Sequence, residues 1–364
     1  MIKLLRRIRS GRRDPPPPDP PKKLINLALQ GGGAHGAFTW GVLDHLLTDG
    51  RLQFEGISGT SAGAVNAILL ADGLARGGPQ EAQKRLAEFW RAASVGGSLP
   101  ALQRAVIERL FAFLPLDESP MQMWLSALSR YFSPYTLNPL NINPLKTLIE
   151  RFVDFEAVRA YKDLQLFISA TNVHTGRLRV FSRDKITADV VMASACLPFL
   201  FQAVEIDGVP YWDGGYLGNP AIFPFFHTTA TEDVLIVQLN PLERKMTPTT
   251  SNEIVNRVNE VTFNSSLLSE YRAIEFVARL IQQQRLPHGT GPGQYRLIKL
   301  HRIVLDGSGR AYTADTKLSN DYDFFQLMRM RGEQSARRFL AAHFDDINVR
   351  STVDLIAEAH AEWA

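Results

Sequence analysis

Within Leu24–Gln30 the apolar residues Ile25, Leu27 and Leu29 fall at every second position. Side chains along a strand point to opposite faces in turn, so a period of two reads as a β-strand. The three glycines at 31–33 stop it. From Ala34 the period changes. Phe38, Val42 and Leu46, with Leu43 and Leu47 beside them, recur every three or four residues, which predicts a helix. Phe54–Ser58 reads as a short second strand. Ser61–Asp72 is apolar nearly all round, as a helix enclosed between a sheet and its neighbours would be. Strand, loop, helix, strand, turn, helix is the opening of a parallel α/β sheet.

Residues 80–160 break this rhythm. Gln80–Ala93 carries Leu86, Phe89 and Trp90 on one helical face. Leu99–Leu114 and Met121–Phe132 read as further helices, separated by Pro115, Pro120 and Pro134. Large apolar residues, among them Phe111, Phe113, Trp124, Tyr131 and Phe132, mark a helical insertion rather than another strand–helix repeat. Strands return at Leu164–Val173, Leu178–Phe181, Asp233–Asn240 and Tyr295–Leu305, and helices are expected at Glu253–Gln284 and Asp321–Phe344. The fold expected is a three-layer α/β/α sandwich around a mostly parallel sheet, with the insertion near its carboxyl edge. The main domain would cover 24–345, with a helical extension at 346–364.

Composition narrows the field. Of 364 residues, 45% are hydrophobic and 21% charged, which is ordinary for a globular chain. The single cysteine, Cys196, excludes an internal disulfide framework and a Cys-rich zinc site. A net charge of +3 gives no case for nucleic acid. That charge is uneven: the first 23 residues carry eight basic and two acidic side chains, which leaves the remainder net negative. Six prolines between Pro15 and Pro21 make this tail a stiff spacer, so folding should begin near Lys23. Such a tail is either a solvated end or a transient contact for an anionic membrane surface. No apolar core of a secretory signal follows the basic residues, and no stretch reaches the roughly 18 apolar residues of a membrane span. A cytoplasmic protein, at most peripheral at the membrane, is the expectation.

Three turns carry candidate chemistry. Gly59-Thr60-Ser61-Ala62-Gly63 lies between a strand and a helix and has the G-x-S-x-G form of a nucleophile elbow. Gly59 and Gly63 allow close backbone approach, and Ser61 would sit at the positive end of a helix. The same residues could simply make a helix start, with Ser61 as its cap. Gly31-Gly32-Gly33-Ala34-His35-Gly36 follows the first strand and opens a helix, where successive amides can gather an anion. It lacks the Gly-Lys-Ser/Thr ending of a phosphate-binding loop, and the dinucleotide pattern Gly31, Gly33, Gly36 is weak alone. In a parallel sheet both turns fall on one carboxyl edge, so one can stabilise the charge the other creates. Tyr211-Trp212-Asp213-Gly214-Gly215 adds a carboxylate in a tight turn, although Asp-Gly is often no more than a turn.

In this order the three elements resemble the patatin-like phospholipase family. Ser194-Ala195-Cys196-Leu197-Pro198, Val204-Glu205-Ile206-Asp207-Gly208 and Asn219-Pro220 strengthen the resemblance, which covers about residues 24–240. It implies a Ser–Asp dyad without histidine, with Ser61 as nucleophile and Asp213 as base. It also implies an oxyanion hole in the loop Gly31, Gly32, Gly33, Ala34, with the amides of Gly32, Gly33 and Ala34 as donors. The reaction implied is cofactor-free hydrolysis of lipid acyl esters. His35 departs from the Arg or Lys common in the family, which leaves its role open.

Other readings stand beside this one. A Ser–acid–His triad could use Ser61 and Asp213 with His301 or His227. His301, between Lys299 and Arg302 in a strand, reads as a residue of the surface face. A carboxylate near its usual pKa of about 3.9 is a poor base for serine, so the dyad needs a buried Asp213. Cys196 reads as core, Asp321-Tyr322-Asp323 lacks a calcium loop's glycine, and no metal is expected. Short-chain or polymeric hydroxyacid esters are alternative substrates. A non-catalytic lipid- or protein-binding module is an alternative role. Residues 100–135 are expected to wall or cover an acyl pocket, or only to pack on the core.

Overall fold

The computed structural model describes residues 22–94, 133–198, 200–244, 247–305 and 319–360. Most of the basic tail therefore lies outside the described residues. So do Phe111, Phe113, Trp124, Tyr131 and Phe132, and with them the lid reading of 100–135.

Among the described residues, eight strands form one sheet. They are β1 (Lys23–Leu29), β2 (Leu52–Gly59), β3 (Gln165–Asn172), β4 (Arg177–Ser182), β5 (Val204–Ile206), β6 (Val209–Asp213), β7 (Asp233–Gln238) and β8 (Lys299–Val304). The run β8-β7-β1-β2-β3 is parallel, while β4 and β6 pair antiparallel with β3, and β5 with β6. The sheet is thus mixed, with its antiparallel strands collected at one side.

One detail of pairing positions the site. Phe167 and Ile168 of β3 pair with β2 and with β4 at once, so those two strands hold opposite edges of β3. Ala170–Asn172 pair with β4 and with β6. Strand β6 therefore lies on the edge that β2 has just vacated, running towards it. Gly59 ends β2 opposite Ile168, and Asp213 ends β6 opposite Ala170. The two strands meet end to end.

Both faces of the sheet are covered. Leu27, Leu29, Ile168, Leu235 and Val237 face one core, and Ala28, Phe167, Val234, Ile236 and Leu300 face the other. This alternation in neighbouring positions is the period of two expected of strands, here apolar on both sides because both sides are buried. The first core is closed by α1 (Gly36–Asp49), α2 (Ala62–Gly77), α3 (Pro79–Ala92), α4 (Pro144–Phe152), α5 (Phe155–Ala160), α6 (Ala188–Ser194) and, late in the chain, α8 (Tyr322–His343). The second is closed chiefly by the 32-residue α7 (Ser251–Gln282), through Leu267, Tyr271 and Ile274. The result is the three-layer α/β/α sandwich expected from the sequence.

One strand expectation needs adjustment. The strand expected at Tyr295–Leu305 begins only at Lys299, because 295–298 belong to the preceding loop. The β5–β6 hairpin turns at Asp207-Gly208, with φ of 51° and 76°, the positive values that a two-residue hairpin turn demands. Among the described residues no helix is long and apolar enough to cross a membrane.

The packing of α1 on α8 generates a stability prediction. A Cβ on Gly41 would lie 1.9 Å from the Arg329 carbonyl oxygen, and one on Gly332 would lie 2.0 Å from that of Phe38. The two helices touch backbone to backbone at a pair of glycines. Gly41→Ala or Gly332→Ala should cost at least about 1–3 kcal/mol as the helices are forced apart. Thermal denaturation checks this, with about 2–4 °C expected per kcal/mol in a domain of this size. An unchanged Tm would mean that the crossing is loose.

Candidate active site

The backbone of Ser61 has φ 54° and ψ −123°, a combination costly for a residue with a side chain. The surroundings hold it there. A Cβ on Gly63 would sit 2.1 Å from the Leu29 carbonyl oxygen, and one on Gly59 2.5 Å from that of Gly63. The glycines are therefore required by close approach, as a nucleophile elbow predicts. The Ser61 amide donates to Ser194 Oγ at 3.0 Å, and Thr60 Oγ1 donates to the Gly218 carbonyl at 2.7 Å. Ser61 makes no side-chain cap bond to α2, so the helix-cap reading is not realised.

The Ser61 hydroxyl instead lies near enough to the Asp213 carboxyl to lower its pKa. Asp213 is 1% exposed. Its Oδ1 accepts the Gly215 amide at 2.7 Å. Its own amide donates to the Cys196 carbonyl at 2.8 Å, and its carbonyl accepts Thr171 Oγ1 at 2.8 Å, so the residue is held on all sides. Gly214 passes so close to β3 that a Cβ there would meet the Ser169 carbonyl oxygen at 2.2 Å. Burial pushes the Asp213 carboxyl up to about 7, against the lowering effect of the Gly215 amide and the Ser61 hydroxyl. The burial that the dyad needs is thus present. Burial, reinforced by the nearby Asp213 charge, pushes the Cys196 thiol up to about 12, and its Sγ donates to the Gln202 carbonyl. Cys196 is a core residue, as expected.

The glycine loop lies directly against the elbow. A Cβ on Gly31 would be 2.8 Å from Ser61 Cβ. Gly31 is pinned at both ends: its amide donates to Asn219 Oδ1 at 2.7 Å, and its carbonyl accepts Asn240 Nδ2 at 2.8 Å. It anchors the loop, and its amide is spent on Asn219. Gly33, at φ 58°, and Ala34 form the first turn preceding α1 and line the same cavity as Ser61. The first amides of a helix have no acceptor within it, which leaves such groups to a ligand. His35 is buried, its ring 6.1 Å from that of Phe324, so it points into the protein.

The cavity at Ser61 opens to solvent. Apart from Gly33, Ala34 and Ser61 its walls are largely apolar, with Val65, Phe89, Trp90, Leu148, Leu197 and Phe325 prominent. These come from α2, α3, α4, the segment after α6, and α8. In sequence Phe89 and Trp90 read only as a helical face, and the α4 wall is not apparent. Its signal was Leu145, Leu148 and Ile149, spaced three and four apart after Pro144.

The histidines are elsewhere. His301 is fully buried, a correction to its reading as a surface-face residue. Its ring bonds Asp233 Oδ1 at 2.9 Å and Thr352 Oγ1 at 3.1 Å, near the amino end of β7 and β8. That is the end of the parallel sheet opposite the Ser61 turn. His227 is exposed in the helical turn Phe225–Thr228, beside residues of α7. Neither lines the Ser61 cavity. Asp321 caps α8 by accepting the Asp323 amide, which accounts for Asp321-Tyr322-Asp323.

No curated protein matches the chain in sequence. Among solved structures, VipD from Legionella pneumophila is similar at 15% identity and a TM-score of 0.39, over 89% of this chain and 67% of that one. ExoU of Pseudomonas aeruginosa, in its heterodimer with SpcU, is similar at 16% identity and a TM-score of 0.38, over 89% of this chain and 52% of that one. The chain thus spans about half the length of ExoU. The patatin-like phospholipase model matches residues 27–226, more than half of the sequence, from β1 past both the Ser61 and the Asp213 turns, and the chain belongs to that family.

Proposed function

We propose that the chain is a cofactor-free serine hydrolase of lipid acyl esters, with Ser61 as nucleophile and Asp213 as general base. The observation that carries this reading is the strained Ser61 turn beside an apolar cavity, with its hydroxyl acting on the buried Asp213 carboxyl. Ser61 Oγ attacks the ester carbonyl carbon while its proton passes to Asp213. The carbonyl oxygen takes the negative charge and is met by the amides of Gly32, Gly33 and Ala34. Collapse of this intermediate expels the alcohol, which receives the proton from Asp213 and leaves an acyl-Ser61 ester. Water, deprotonated by Asp213, then attacks the acyl carbon, and Ser61 regains a proton as the acid departs. An apolar cavity favours a long acyl chain over an acetyl group, at about 0.8 kcal/mol per buried methylene. This supports lipid esters over short-chain ones.

Ser61→Ala and Asp213→Asn should each lower kcat at least about 10⁴-fold in folded protein, with the double variant no worse than either. Turnover of phospholipid and p-nitrophenyl esters measures this, together with fluorophosphonate labelling that Ser61→Ala abolishes. Normal turnover by folded Ser61→Ala ends the dyad mechanism.

The pH dependence has a definite sign. Asp213 accepts a proton only when ionised, so kcat should rise with pH through an apparent pKa near 7. Its folded pKa lies above the unfolded value of 3.8, so the folded chain binds the proton more tightly. The resulting stabilisation is full below the unfolded pKa and is lost as pH rises through about 7. Asp213→Asn, which removes the buried charge, should therefore gain stability relative to the parent between pH 5 and 8. Denaturant midpoints across that range test it, and a parent that gains on the variant as pH rises contradicts the assignment.

Leu148→Trp, which fills the cavity from α4, should lower kcat/KM for long acyl chains by at least about tenfold, while acetate and butyrate esters change little. Equal losses on all chain lengths would show that α4 does not line the acyl path.

A further inference from the structure

Between the base and the oxyanion loop runs a short, heavily bonded segment. The Leu217 and Gly218 amides both donate to the Gly214 carbonyl, at 3.0 and 2.8 Å, which closes the turn after Asp213. Gly218 then accepts Thr60 Oγ1 from the elbow. Asn219, 1% exposed, follows. Its amide donates to Ser266 Oγ of α7 at 3.1 Å, and its Oδ1 accepts the Gly31 amide at 2.7 Å. The segment that carries Asp213 at one end therefore grips the elbow in its middle and the glycine loop at its far end.

The loop is held on its other side as well. Gln30 Oε1 accepts the Leu239 and Asn240 amides at 2.7 and 2.8 Å, and its Nε2 donates to Asn264 Oδ1 at 3.0 Å. Asn240 in turn donates to the Gly31 carbonyl. With its amide fixed to Asn219 and its carbonyl fixed to Asn240, the peptide planes on both sides of Gly31 are held. The amides that follow inherit their orientation.

We infer that Asn219 is a positioning residue, whose side-chain oxygen sets the oxyanion amides of the glycine loop in register with the Ser61–Asp213 pair. The inference rests on the proposed dyad and adds to it a link between base and oxyanion hole. Asn219 does not touch the reacting atoms. Without its acceptor the Gly31 amide is released, the loop can rotate, and the donors lose their aim at the developing charge. The Asp213 turn keeps its own bonds to Gly215, Cys196 and Thr171, so the Ser61–Asp213 pair stays in place. The loss should therefore fall on kcat and leave KM nearly unchanged.

The test compares matched oxygen esters and thionoesters. A thionoester places the developing charge on sulfur, which is larger and accepts hydrogen bonds poorly, so an aligned oxyanion hole discriminates against it. Asn219→Leu keeps the branched shape of the side chain and removes the acceptor, whereas Asn219→Asp keeps an acceptor. Asn219→Leu should lower kcat on the oxygen ester about 10- to 100-fold, less than the 10²–10³ of deleting a donor outright. Its oxygen-to-thiono ratio should fall at least about tenfold, while Asn219→Asp holds a ratio near that of the parent. Should the leucine variant fail to fold, Asn219→Ala removes the same acceptor without added bulk. A loss that affects both esters equally, with a lowered Tm, would make Asn219 a packing residue and overturn the inference. A parent chain that Ser61→Ala does not impair would remove the dyad, and this inference with it; an active, Ser61-dependent parent with unchanged ratios in the Asn219 variants overturns the inference alone.

Discussion

The site depends on β3 lending one edge to two strands in succession. β2 occupies that edge as far as Ile168 and stops, and β6 takes it from Ala170 onwards in the opposite sense. A parallel strand and an antiparallel strand thereby end face to face, and the turn at each end carries one member of the pair. Had β6 joined the other edge of β3, where β4 lies, the sheet itself would separate Asp213 from Ser61. The bonds of Thr171 Oγ1 to the Asp213 carbonyl and of the Asp213 amide to the Cys196 carbonyl hold this meeting point.

A carboxylate buried this deeply destabilises the charged form, and its support is local and neutral. The Gly215 amide and the Ser61 hydroxyl approach it, and burial still dominates, so the group is poised near neutrality rather than locked as an anion. A strong cationic partner would stabilise the fold more but would take away the basicity. The Ser61 backbone adds a second strain, offset by the capture of its amide by Ser194 and by the packing of Gly59 and Gly63 against their neighbours. Both costs sit where the chemistry needs them, and the apolar layers on either side of the sheet supply the stability that tolerates them.

How much of this was readable in sequence divides along physical lines. The elbow, the glycine loop and the Asp213 turn were legible because each needs glycines at fixed offsets next to a strand or helix signal, even though the backbone that those glycines meet lies elsewhere in the chain. The parallel core strands were legible from their apolar runs. Not legible was the strand pairing that brings Asp213 to Ser61 across 152 positions of sequence. The Asp207-Gly208 hairpin carried a signal that went unused, since β5 has only three residues and Pro210 interrupts β6. His301 was misread because flanking charges, Lys299 and Arg302, outweighed the possibility of a buried partner; Asp233 lies on the neighbouring strand, where local pattern cannot see it. The engagement of the Gly31 amide by Asn219 was invisible for the same reason.

The two layers of the sandwich divide the work at the site. The layer of α2, α3, α4 and α8 supplies the apolar cavity, whose walls carry little polar chemistry. The layer of α7 supplies a polar brace within one turn of helix. Phe263 lies against Gly215, where a Cβ would meet its ring at 2.8 Å, Asn264 receives Gln30, and Ser266 receives Asn219. Three consecutive contacts of one helical turn thus reach the base turn, the strand end before the glycine loop, and the residue that fixes Gly31. Because α7 packs on the sheet through Leu267, Tyr271 and Ile274, just beyond that turn, the position of the brace is set by the second core. The apolar cavity at Ser61 belongs to the first. Cavity shape is therefore set from one side of the sheet, while the spacing of the Ser61 turn, the Asp213 turn and the glycine loop is held from the other.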